Sequence, residues 1–173
     1  MKEPKHPNMG KEFPHTDLIL PLSAVLFFLV WILDSFILRL SEGFVGFVPD
    51  IVRIVLFTGF EVPAIVLGFY SHKALFGKKN VEPTLITAGI FVYVRHPLYL
   101  SVLLAYLGFI FGAMSLISLI PWICYVALFD KMVSFEEKDL VRIFDDEYIE
   151  YRKRVPKWIP KLNPSKNGKS ARR

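Results

Sequence analysis

The 33 residues from Pro97 to Phe129 contain no charged side chain. A helix in water keeps a polar face, so an uninterrupted apolar run of this length belongs in hydrocarbon rather than in a soluble core. Composition agrees, with 53% hydrophobic and 15% aromatic residues and a mean hydropathy of +0.42. The expected fold class is therefore all-α, a polytopic integral membrane bundle of about four transmembrane helices. The single cysteine, Cys124, excludes an intramolecular disulfide and a cysteine-based zinc or iron–sulfur centre, and it reads as small apolar packing.

Four spans follow from the apolar pattern, at about 18–40, 47–70, 98–112 and 115–130. The first, Leu18–Leu40, is about 35 Å long as a helix, enough to cross a hydrocarbon core of about 30 Å. It is too long for a signal-peptide core and lacks a small-residue cleavage site, so it is expected to stay as an anchor. Asp34 lies near its end, where it reaches the interface or pairs internally. The second span carries Arg53, Glu61 and Pro63, and the proline is expected to kink it. Glu61 is either a functional intramembrane carboxylate or a partner of Arg53 or of a backbone group. Gly112-Ala113-Met114-Ser115 divides the charge-free run into two closely packed helices. The first of these is only about 23 Å long, which implies a tilted or partial crossing.

Charge sets the expected orientation. The +5 net charge is uneven, since twelve of the 21 basic residues lie after residue 130, and residues 41–50 have none. Lys73, Lys78, Lys79 and Arg95 fill the connection between spans two and three. Both termini and that connection are thus expected on the cytoplasmic side. The basic C-terminus suits membrane lipid on an anionic leaflet, and nucleic acid is not an expected partner. Residues 1–17 read as a flexible arm, 18–160 as a single membrane domain, and 161–173 as a basic flexible tail. Past span four, Glu137, Leu140, Val141, Phe144, Tyr148 and Tyr151 recur every three or four residues. This is the pattern of an amphipathic cytoplasmic helix ending before Pro156. Trp122 and Trp158 suit interface anchoring, and His6, His15 and His72 show no metal-ligand spacing.

Two features at one membrane level carry the chemistry. Arg95-His96-Pro97-Leu98-Tyr99 stands where the long connection enters span three. Pro97 disfavours helix at His96 and suits the first helical turn, so the chain turns at His96. The free N–H groups of that turn, with Arg95 beside them, make a place for an anion. Glu136-Glu137 lies at the same end of span four, where two carboxylates suit a cationic or hydroxylated ligand. A plainer reading stays open: Arg95 snorkels to headgroups, Tyr93 and Tyr99 join an aromatic belt, and the glutamates are a helix-surface pair.

Taken together, Gly89-Ile-Phe-Val-Tyr-Val-Arg95-His96-Pro97-Leu-Tyr99, then a hairpin, then the stretch from Glu136 to Pro160 ending Tyr148-x-x-Tyr151-x-x-x-Val155-Pro156, resemble the isoprenylcysteine carboxyl methyltransferases and the related phospholipid methyltransferases. The resemblance covers about residues 75–160. It implies S-adenosylmethionine as cofactor, methyl transfer at the cytoplasmic interface, and a lipophilic or lipidated acceptor such as a prenylcysteine carboxylate or a phospholipid amine. It also implies that Gly89, Arg95, His96, Tyr99, Glu136 and Glu137 form the cofactor pocket. Arg95 and His96 would be catalytic, and Arg95 with Tyr148 would meet the substrate. Two departures accompany it. Asp145 stands where relatives often have glycine, and Leu100-Ser101 follows the tyrosine where a small residue is common. A membrane reductase related to sterol reductases and a non-catalytic lipid-binding adaptor are the alternative readings.

Overall fold

The computed structural model describes residues 13–77 and 84–161. Residues 1–12 of the arm expected at 1–17 and residues 162–173 of the tail expected at 161–173 fall outside the described residues, and Thr16 and Asp17, expected in the arm, already belong to the first helix. Every regular element among the described residues is helical: α1 Thr16–Ile32, α2 Glu42–Val45, α3 Asp50–Phe76, α4 Pro97–Ala113 and α5 Leu119–Arg154.

Three stretches are long and apolar enough to cross a membrane, Leu18–Ile37, Asp50–Phe76 and Leu116–Arg154, and α4 is a shorter apolar helix. Many of their large side chains face outward, among them Leu18, Val25, Ile54, Ile65 and Phe69. Apolar helices that expose apolar side chains are stable only in lipid, so the chain is an integral membrane protein. Its ends differ from the sequence expectation in instructive ways. The first helix closes in a π-helical turn, Leu33–Ile37, that carries Asp34 inward. The second span starts at Asp50 and continues to Phe76, past the expected end at residue 70, with Pro63 inside one 27-residue helix. The helix that carries the last span does not stop with the apolar run at 130: α5 runs on through the glutamate pair to Asp145, whose φ of 43° and ψ of −122° interrupt it.

The described chain forms two compact units, one from residues 14–66 and 101–131, the other from 67–100 and from 132 onward. The first is organised by aromatic rings and a buried acid. Phe27 stacks on Tyr106 at 4.1 Å, and Trp31 packs edge-on to Phe109. Asp34 is 2% exposed and accepts hydrogen bonds from the Ser41 amide, the Ser41 hydroxyl and the Ser115 hydroxyl, at 3.0, 2.7 and 2.6 Å. These bonds tie the end of α1 to the α4–α5 turn, where Met114 takes a φ of 55° and Ser115 in turn bonds Ser118. Arg53 donates to the Gly112 carbonyl and pairs with Asp50, not with Glu61. Buried Oε1 of Glu61 has no hydrogen-bond partner among the described residues, and the carboxylate packs over Gly108, where an added Cβ would force it to shift.

The second unit is built on tyrosines. Tyr148, Tyr151 and Val155 are buried together against Leu85, Leu140, Val141 and Phe144, the apolar face that the sequence period predicts for this segment. The chain after α5 doubles back beside residues 93–95, with the Arg95 amide donating to the Pro156 carbonyl and the Lys161 amide to the Tyr93 carbonyl.

Candidate active site

Pro97 begins α4, so the chain turns at His96 as its sequence requires. That turn places Arg95 and His96 beside Glu137, four residues past the buried Val133 on α5. The guanidinium of Arg95 donates from Nε to Oε1 of Glu137 at 2.9 Å, and its Nη2 lies 2.9 Å from the same oxygen in the ion pair. Its Nη1 donates to the carbonyls of Arg152 and Val155, at 3.0 and 2.7 Å. Three of the five guanidinium N–H donors are therefore met by the chain itself, and Nη2 faces the Glu137 carboxylate. The expectation of an arginine free to hold an external anion changes accordingly. Arg95 closes the C-terminal end of α5, where a cation meets the negative end of the helix dipole.

His96 is 8% exposed, and its Nε2 lies 3.0 Å from the same Oε1 of Glu137. Burial pushes the imidazole below its ordinary value, outweighing the Glu137 hydrogen bond and charge that favour protonation. For Glu137, burial would raise the carboxyl, but the contacts with His96 and the Arg95 charge prevail and hold it at about 2. An ionised carboxylate only accepts, so Nε2 of the neutral imidazole carries the hydrogen and Nδ1 keeps its lone pair.

The remaining motif residues gather around this pair. The Tyr99 hydroxyl donates to Oε1 of Glu136, and the Tyr151 hydroxyl donates to the Phe91 carbonyl at 2.7 Å. Tyr148 is 1% exposed, yet its hydroxyl makes no hydrogen bond of ordinary geometry among the described residues; burial, the nearby Glu137 charge and the approach of that carboxylate to the hydroxyl make it harder to ionise. Gly89 takes a φ of +67°, with open space where a side chain would stand. Its backbone thus needs glycine for conformation, and it leaves room beside the 3₁₀ turn Gly89–Val92. Lys157, which the motif did not single out, donates to the Ser134 hydroxyl at 2.9 Å and adds a positive charge that bears on His96. Its only sequence signal was its place next to Val155-Pro156.

The family model for phospholipid methyltransferases matches residues 57–147, 91 of the 173 residues. The chain belongs to this family. Fission yeast protein-S-isoprenylcysteine O-methyltransferase is 38% identical over 96 residues, 53% of this chain and 39% of the relative. The human enzyme of the same name is 31% identical over 90 residues, 48% of this chain and 30% of that protein. Methanethiol S-methyltransferase 1 of Bradyrhizobium diazoefficiens is 32% identical over 87 residues, 50% of this chain and 30% of that protein. The chain thus spans about a third of the length of these relatives. No solved structure matches significantly. The reductase and lipid-adaptor readings gain no support from these family matches.

Proposed function

We propose that this member of the phospholipid methyltransferase family transfers a methyl group from S-adenosylmethionine to a lipophilic acceptor at the cytoplasmic membrane interface. The observation that carries the reading is the buried cluster of Arg95, His96 and Glu137 beside the orphaned hydroxyl of Tyr148. A buried hydroxyl without a partner costs about 1–3 kcal/mol, which a ligand that meets it would recover. The donor set suits this cofactor. Glu136 and Glu137 offer carboxylates to an ammonium and to ribose hydroxyls, Tyr99 and Tyr148 offer hydroxyls, and the +67° turn at Gly89 leaves its backbone accessible. Bound there, S-adenosylmethionine would supply an electrophilic methyl group on a sulfonium.

The protein's own contribution is then orientation, exclusion of water and the handling of a proton. In this reading Arg95 acts as a positioning residue, since its guanidinium fixes Glu137 and the end of α5. Glu137 in turn fixes the tautomer of His96. With Nε2–H committed, Nδ1 of His96 is the base for an acceptor that must lose a proton, such as a thiol or amine, while Glu137, held at about 2, is too weak a base for that task. A carboxylate acceptor would need no base, and there the cluster serves orientation alone. Residues 18–160 act as one membrane domain with its cofactor part at about 75–160. Both termini lie in the cytoplasm.

The test is methyl transfer from labelled donor by the purified protein in vesicles, with a prenylcysteine carboxylate, an aminophospholipid and a long-chain thiol offered separately. Transfer to at least one acceptor, dependent on His96 only where that acceptor carries a proton, is expected. Transfer to none of the three by a folded, donor-binding protein would overturn the reading.

A further inference from the structure

In the unit formed by residues 14–66 and 101–131, a cleft of about 590 Å³ lies between the end of α1, the start of α3 and the end of α4. Its size falls in the range of sites that hold small molecules, about 300–1,000 Å³. Trp31, Phe36, Phe57 and Phe109 form its walls. Their rings hold one another edge-on, Trp31 to Phe36 and to Phe109 at 5.4 Å, and Phe57 to Phe109 at 5.7 Å. The indole N–H of Trp31 is already spent on the Phe109 carbonyl, so Trp31 presents only an apolar surface. The wall is therefore preformed and suited to hydrocarbon.

Polarity enters at one end only. Arg53, whose side chain is 23% exposed, is anchored by Nε on the Gly112 carbonyl and by Nη1 on Oδ1 of Asp50. Its Nη2 has no partner among the described residues, and Asp50 is 88% exposed. A fixed cation within the cleft and a fixed anion at its rim, above an aromatic trough, complement an amphiphile whose negative group lies nearer its tail than its positive group. We propose that the cleft holds one zwitterionic glycerophospholipid, with its phosphate on Nη2 of Arg53, its ammonium toward Asp50, and an acyl chain along the aromatic wall. This site takes no part in methyl transfer and does not depend on that assignment.

The experiment is native mass spectrometry of the full chain released from vesicles of equal phosphatidylethanolamine, phosphatidylglycerol and diacylglycerol, with thermal unfolding as a check on fold. Wild type is expected to retain one phosphatidylethanolamine about fivefold over the other two lipids, the scale of one partly exposed charged contact. Asp50→Asn, at an exposed position that leaves the fold intact, is expected to abolish the preference over phosphatidylglycerol. Arg53→Gln is expected to abolish that over diacylglycerol. Retention without headgroup preference, a preference that survives Asp50→Asn, or displacement of the lipid by a prenylcysteine acceptor would each overturn the proposal.

Discussion

Arg95 and Glu137, 42 residues apart in sequence, form a buried ion pair at 2.9 Å in which each side chain is 9% exposed. The same guanidinium holds the last carbonyls of α5, so one side chain joins the entry of α4 to both the middle and the end of α5. Removing either partner strands a charge in a buried place, and breaking such a pair costs about 3–5 kcal/mol. Arg95→Ala and Glu137→Ala are each expected to lower thermal stability by about that much. The double variant is expected to lose much less than the sum, as unfolding of all three in detergent would show.

Acid should undo this cluster in two stages. His96 and Glu137 both have depressed values in the fold, so each contributes stability that is present at higher pH and lost on acidification. The His96 contribution begins to fall as pH drops below its ordinary 6.5, and the Glu137 contribution falls between 4.5 and about 2. Unfolding temperature against pH is expected to show both losses, with His96→Gln deleting the first. For an acceptor that carries a proton, the acid limb of the rate should lie below pH 6.5.

Tyr148 offers a separation of binding from folding. Its hydroxyl makes no hydrogen bond of ordinary geometry among the described residues, so Tyr148→Phe is expected to leave stability unchanged or slightly raised. Donor affinity is expected to fall roughly threefold to tenfold, the worth of one hydrogen bond of about 0.5–1.5 kcal/mol. Calorimetric titration alongside unfolding measures both quantities on one preparation.

Asp145 sits at φ 43° and ψ −122°, where a side chain is strained and glycine is not. Asp145→Gly is expected to stabilise the protein by about 1 kcal/mol, and Asp145→Val to destabilise it, in chemical unfolding.

Asp34 should behave in the opposite way. Asp34→Ala leaves the Ser41 amide and two serine hydroxyls without their acceptor and is expected to cost at least about 2 kcal/mol. Asp34→Asn, which keeps one acceptor oxygen, is expected to cost less in the same assay.

These residues also show what the sequence could reveal. Pro97 and the charge-free run specify where α4 begins, and the Gly112–Ser115 break is where the chain turns. The 3.6-residue period correctly buries Tyr148 and Tyr151. The motif itself signals that Arg95, His96 and Glu137 belong together, though not how. That Arg95 is spent on carbonyls 57 and 60 residues away depends on the return of the chain after Pro156, which no local pattern encodes. Asp34 offered the choice between interface and internal pairing, and it pairs with Ser115, 81 residues on; serine has too many uses for such a partner to be read in advance. The strained backbone at Asp145 was visible only as a departure from a familial glycine. The open pairing of Glu61 resolves against Arg53 because the start of α3 lies by the end of α4, so the Gly112 carbonyl takes the arginine.

The central claim is that the cluster around Glu137 and Tyr148 holds a methyl donor. Calorimetric titration of the purified protein with S-adenosylmethionine and its demethylated product, with NADPH as control, tests it most directly. Saturable binding of the first two, absent for NADPH and weakened in Tyr148→Phe without loss of stability, is the expected result. No saturable binding of either compound by a protein that unfolds cooperatively would contradict it.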